Sequence, residues 1–131
     1  MSETIHGACL CGKIAFDVLE PEVLGTCHCT RCRRWTGGAG STVVITGAKS
    51  FKVTKGQDQM KQYHEEKFAD RYFCSNCGSG IYADGGDKVY VSAGCLRDVK
   101  LKPAFHCQVA YKEPWDEIGG SAPQFAEWPP S

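Results

Sequence analysis

Nine cysteines in 131 residues are the feature most able to do chemistry, and seven of them are clustered. Cys9 and Cys11 stand in "GACLCG", Cys27, Cys29 and Cys32 in "TCHCTRCRRW", and Cys74 and Cys77 in "FCSNCGSG". Thiolates are soft ligands that take zinc in preference to the hard ions magnesium and calcium. The glycine after the last C-x-x-C permits the tight turn that aims backbone amides at sulfur, as in a zinc knuckle. A redox dithiol of the thioredoxin type would be followed by a helix. Here "GSGIYA" follows, which reads as strand, so metal binding is the chemistry these spacings favour.

Seven thiols divide naturally as four plus three. Cys9 and Cys11 with Cys74 and Cys77 make a closed set for a structural zinc, and Cys27, Cys29 and Cys32 hold a second zinc. Structural zinc takes four protein ligands, whereas catalytic zinc keeps one position open. The fourth position of the triplet falls to water, to a thiol ligand, or to His28, Cys95 or Cys107; spacing does not choose among them. A site with three protein ligands is the weaker of the two, so its occupancy is expected to be the lower.

Arg31, Arg33 and Arg34 crowd the triplet. They balance the negative charge of three thiolates on one divalent ion, or they present guanidinium forks to the carboxylates of a thiol substrate. Arg33 and Arg34, with Trp115, are the expected substrate-binding residues. Trp35 and Trp115 suit an apolar pocket wall or ordinary packing. His28 and His106 are either donors behind the metal ligands or ordinary strand histidines. Cys95 and Cys107 read as small buried apolar residues that form no disulfide with each other. Of the two, Cys95 is expected nearer the second metal.

The elements that must position these residues are strands. Ile14, Phe16 and Val18 alternate with polar or small neighbours, so "ETIHGACLCGKIAFDVLE" reads as a β-hairpin with Cys9 and Cys11 at its tip. A short strand through Leu24 leads into the loop that carries the triplet. "STVVIT" is a buried β-branched strand, and "FKVTKG" alternates again. "QMKQYHE" fits strand better than helix, because its neighbours are strands. "DRYFC", "GIYAD" and "KVYVSAG" follow, the last two joined by the turn signal "DGGD". "AFHCQVAY" is a late strand, with one helical turn expected at Trp115 to Glu117. No segment keeps a 3.6-residue period for ten positions or more. The expected fold is mainly β with little helix, in one domain over residues 1–131.

Composition excludes several classes. Lys plus Arg equals Asp plus Glu at 15 each, so no overall field draws the molecule to nucleic acid or an anionic membrane. No apolar run approaches the roughly 20 residues of a membrane-spanning helix. The start "MSETIHGACLCG" has neither the basic nor the apolar region of a secretion signal, and a cytoplasmic location is expected. Reducing conditions there favour metal over disulfide for clustered thiols.

The ordered set "GACLCGKIAF", "TCHCTRCRRWTGGAG", "RYFCSNCGSGIY", "VSAGCL" and "AFHCQVAYKEPW" closely resembles the glutathione-dependent formaldehyde-activating enzyme family, which also includes centromere protein V. The likeness runs from about Gly7 to Trp115 and leaves a Pro- and Gly-rich tail. It implies a zinc-tethered β-tent of small antiparallel sheets. It also implies structural zinc at Cys9, Cys11, Cys74 and Cys77, and a second zinc at Cys27, Cys29 and Cys32 beside a glutathione site. The implied activity is condensation of glutathione with formaldehyde to S-(hydroxymethyl)glutathione, a carbon–sulfur lyase reaction run in reverse. Two positions depart from the family pattern: Cys95 replaces a small residue, and Arg97 an acidic one. Two other classes stand beside the enzyme: a thiol-binding or carrier module without turnover, and a structural zinc domain used for interaction.

Overall fold

The computed structural model describes residues 3–130, and ten strands dominate it. Strand β1 (Ile5–Ala8) pairs antiparallel with β2 (Ala15–Val18), and β2 pairs with β5 (Phe51–Lys55) to complete a three-stranded sheet. The other sheet contains β3 (Val23–Cys27), β4 (Ser41–Gly47), β6 (Met60–Tyr63), β7 (Asp70–Cys74), β8 (Gly80–Asp84), β9 (Lys88–Ser92) and β10 (Pro103–Cys107). Its order is β10-β3-β4-β9-β8-β7-β6. "QMKQYHE" is therefore a strand, as its neighbours suggested.

Two features differ from the expected small antiparallel sheets. One sheet has seven strands, and β10 lies parallel to β3, with Cys107 opposite Cys27. Parallel neighbours need a long crossover, and more than half of the chain lies between these two. Strand β10 also ends at Cys107, before a 3-10 turn at Val109–Tyr111. In place of the helical turn expected at Trp115 to Glu117, the chain makes a single tight turn at Pro114 and Trp115, closed by the Asp116 N–H donating to the Glu113 carbonyl at 3.0 Å.

The core lies between the two sheets. Ile14, Phe16 and Val18 from the first hairpin meet Val44, Ile81 and Val91, and all six are fully buried. Each such side chain contributes about 1.5–3 kcal/mol when taken out of water. The Phe51 ring of β5 sits 4.6 Å from the Tyr82 ring of β8, centroid to centroid, so aromatic packing spans the gap between sheets.

One α-helix interrupts the strands: α1 (Thr30–Thr36), seven residues long. Two turns cannot display a period, which is why the sequence pattern concealed it. Cys29 caps its start through sulfur, and Gly37 ends it in the left-handed conformation at φ 73°. The triplet thus lies on a strand end, a helix cap and a first turn, rather than in an open loop.

Candidate metal centres and the adjoining cavity

The first centre is built where two hairpin turns meet. Cys9 and Cys11 occupy the β1–β2 turn, Cys74 closes β7, and Cys77 lies in the β7–β8 turn. Their four sulfurs all lie within 4.8 Å of one another. Cys9 and Cys11 are 3.6 Å apart and Cys11 and Cys74 3.8 Å apart, sulfur to sulfur. A zinc tetrahedron with bonds near 2.3 Å has edges of about 3.8 Å, so these thiols fit that ion.

Backbone amides support the sulfurs. The Ile14 and Asn76 N–H groups donate to Cys9 Sγ and Cys74 Sγ, each at 3.4 Å. Ser79 links the turns: its hydroxyl lies 3.2 Å from Cys77 Sγ and accepts from the Leu10 N–H at 3.0 Å. That hydroxyl, aided by backbone N–H groups, lowers the Cys77 thiol to about 5. Hydrogen bonding from Asn76 lowers Cys11 as well. Cys74 moves up: the Cys77 backbone pulls it down, but burial and the neighbouring thiols outweigh that pull.

The second centre brings together Cys27, Cys29 and Cys32, again with every sulfur within 4.8 Å of the others. The Cys32 N–H donates to Cys29 Sγ at 3.3 Å. Hydrogen bonds from Cys27 and Cys32, assisted by the Arg31 charge, hold Cys29 far below the usual thiol range. Cys27 is pushed far up, first by its hydrogen bond to Cys107 and then by that to Cys29. Cys32 is pushed up by its bonds to Cys27 and Cys29 and by burial. A thiophilic cation such as zinc would replace the protons that these three sulfurs share.

The two remaining cysteines lie the other way round from expectation. Cys107, buried, neighbours Cys27 across the parallel pair. Cys95 lies by the closed centre, where burial and the charges of Cys9 and Cys77 raise its thiol, which is directed at the Gly80 carbonyl. Neither is in a disulfide. His28 is buried, and its ring bonds Asp116 at 2.8 Å and His106 at 3.0 Å. This buried chain ties the triplet segment to the tail, and none of its hydrogen bonds goes to a thiol.

A cavity of about 260 Å³ opens beside the triplet. Cys27 and Cys32 line one part of it, and Trp35, Tyr82, Tyr90 and Trp128 supply aromatic wall. Its cations are Arg31 and Arg71. Arg33 points elsewhere, to Thr30 at 3.2 Å and Glu113 at 3.9 Å, with a buried Nε that has no partner. Arg34 is exposed on the helix, and Trp115, 63% exposed, lies outside the cavity lining. Arg71 and Trp128 carried no sequence signal, because both arrive from elements distant along the chain.

Two cysteine groups that could each hold a metal ion, one of them beside a cavity, are set in a two-sheet β fold. Residues 4–111 match the family described as glutathione-dependent formaldehyde-activating enzyme, and the chain belongs to that family. A Halomonas elongata protein, provisionally named for that activity, is 29% identical over 85 residues, covering 60% of this chain and 54% of the relative. An uncharacterized lyase of Schizosaccharomyces pombe is 28% identical over 99 residues, covering 72% of this chain and 70% of the relative. A Podospora anserina protein named like the Halomonas one is 26% identical over 121 residues, with 90% and 51% covered. The chain therefore spans about half the length of two of these relatives. A crystal structure of a Rhodobacter sphaeroides protein shares the fold, with TM-score 0.60 at 20% identity over 91% of this chain and 98% of that one.

Proposed function

We propose that the protein is a lyase-type enzyme of carbon–sulfur bonds that joins a small thiol such as glutathione to formaldehyde and splits the adduct. One observation carries the reading: a cluster of three thiols faces a cavity large enough for part of a small peptide. Cys27, Cys29 and Cys32 would hold zinc there, and Cys9, Cys11, Cys74 and Cys77 would hold the structural ion. A bound zinc supplies Lewis acidity that keeps a thiol sulfur deprotonated at neutral pH.

The chain's own residues supply the rest. The substrate sulfur, as thiolate, attacks the formaldehyde carbon. A carbon–sulfur bond forms, the carbonyl π pair moves to oxygen, and that oxygen takes a proton from water. The reverse reaction returns thiol and aldehyde. Trp35, Tyr82 and Tyr90 line an aromatic wall against which the thiol substrate would rest. Cavity walls of this kind also fix orientation, which is the main help available to an addition that is already easy in water.

Exchange NMR on glutathione and formaldehyde tests the reading. Zinc-loaded parent protein should speed interconversion of free and adduct forms, and Cys29→Ser should not. Binding of glutathione by the parent with no change in exchange rate would replace the enzyme by a carrier.

A further inference from the structure

We propose that Arg31 and Arg71 form a carboxylate clamp in this cavity, and that Glu65 fills it until the carboxylate of an acidic thiol takes its place. This rests on the reading that the cavity binds the thiol handled by the triplet.

The cavity lining contains two guanidinium groups and no acidic residue. Glu65, from the loop between β6 and β7, bridges them with one oxygen each. Oε2 accepts from Arg31 Nε at 2.5 Å, and Oε1 from Arg71 Nε at 2.9 Å. One carboxylate stands against two guanidinium groups, and the thiols Cys27 and Cys32 share the cavity wall with them. Arg71 is only 8% exposed, so bulk water does not disperse its charge. Among the described residues, no hydrogen bond joins the terminal nitrogens of either arginine to a protein oxygen, although the Arg71 guanidinium also bonds the Cys32 thiol. Each guanidinium therefore keeps donors for a ligand, and the planar fork is shaped for a carboxylate.

Glu65 is placed to leave. It belongs to a connecting loop, not to a strand, and the loop lies over the site through Phe68, whose ring packs 3.4 Å from the Arg31 guanidinium carbon. Burial would raise the Glu65 carboxyl, but the hydrogen bonds from Arg31 and Arg71 outweigh it and hold Glu65 ionised. A substrate carboxylate offers the same bonds, so it competes with Glu65 on equal chemical terms. A purely structural Arg–Glu–Arg tie predicts the opposite response to mutation, because loosening it would not help a ligand bind.

Calorimetric titration of the zinc-loaded protein separates the two. Reduced glutathione is compared with its diamide, which has the same shape and no carboxylate. The parent should bind the acid about tenfold more tightly than the diamide. Glu65→Gln should tighten binding of the acid about tenfold and leave the diamide unchanged. Arg71→Gln should erase the preference for the acid, and Arg31→Gln, at a side chain already 38% exposed, gives the same readout if the buried variant does not fold. Equal affinity of the parent for acid and diamide, or binding of the acid that Glu65→Gln leaves unchanged or weakens, overturns the clamp. Cys29→Ser keeps the readings apart. If it abolishes binding of both compounds while the parent shows no preference, the thiol site stands and the clamp falls. If both compounds bind regardless of Cys29, the thiol reading falls and the clamp with it.

Discussion

Cysteine alone shows how far one residue type is divided by its surroundings. Ser79 and nearby N–H groups draw the Cys77 proton off at about 5 and Asn76 lowers Cys11, while burial and the neighbouring thiols raise Cys74 in the same centre. In the triplet only Cys29 is lowered, while Cys27 and Cys32 hold their protons above the ordinary thiol range. Metal binding must expel those protons, so affinity falls as pH falls, and it falls first where protons are held most tightly. The triplet should therefore release zinc at a higher pH than the closed centre. Lowering the pH from about 8 to about 5 with a chromogenic chelator present should show two release steps. Cys29→Ser should lack the earlier step. Survival of that step in the variant would mean that the closed centre, not the triplet, lets go first.

Elements depend on two left-handed glycines in different ways. Gly37 ends α1 at φ 73°, and a Cβ there would meet nothing within 4 Å. Gly56 follows β5 at φ 75°, and its Cβ would lie 1.9 Å from the Lys13 carbonyl oxygen, beside the turn that carries Cys9 and Cys11. Gly37→Ala should cost only the conformational strain, about 1–2 kcal/mol. Gly56→Ala adds displacement of backbone, and should cost roughly 3–5 kcal/mol. Denaturant unfolding of the two variants measures the difference. Equal losses would mean that the β5 end yields without disturbing the Cys9–Cys11 turn.

At the scale of the molecule the closed centre, with the zinc proposed for it, would staple the two sheets together. Cys9 and Cys11 come from the three-stranded sheet, and Cys74 and Cys77 from the seven-stranded one. Structural zinc contributes about 10–16 kcal/mol in small zinc domains. Whole domains are stable by only about 5–15 kcal/mol. Cys74→Ser should therefore be insoluble or melt far below the parent, whereas Cys29→Ser should melt within a few degrees of it. Scanning calorimetry with zinc analysis decides; a Cys74→Ser protein with full zinc and the parent's melting temperature would remove the staple.

Strand identity was legible in the sequence because alternation is local: Phe16 faces inward whatever the rest of the chain does. The clustering of thiols was legible for the same reason, since C-x-C and C-x-x-C bring sulfurs together within one turn. Helix α1 was not, because seven residues are too few to show a period. The parallel pairing of β10 with β3, which sets Cys107 against Cys27, is a contact between segments far apart along the chain that no local pattern encodes. The cavity's second cation is the clearest case. Arg33 and Arg34 adjoin the triplet in sequence, yet helical geometry turns Arg33 toward Glu113 and Arg34 to solvent. Arg71 reaches the cavity from β7, which pairs between β6 and β8 in the seven-stranded sheet, and only tertiary packing could place it there.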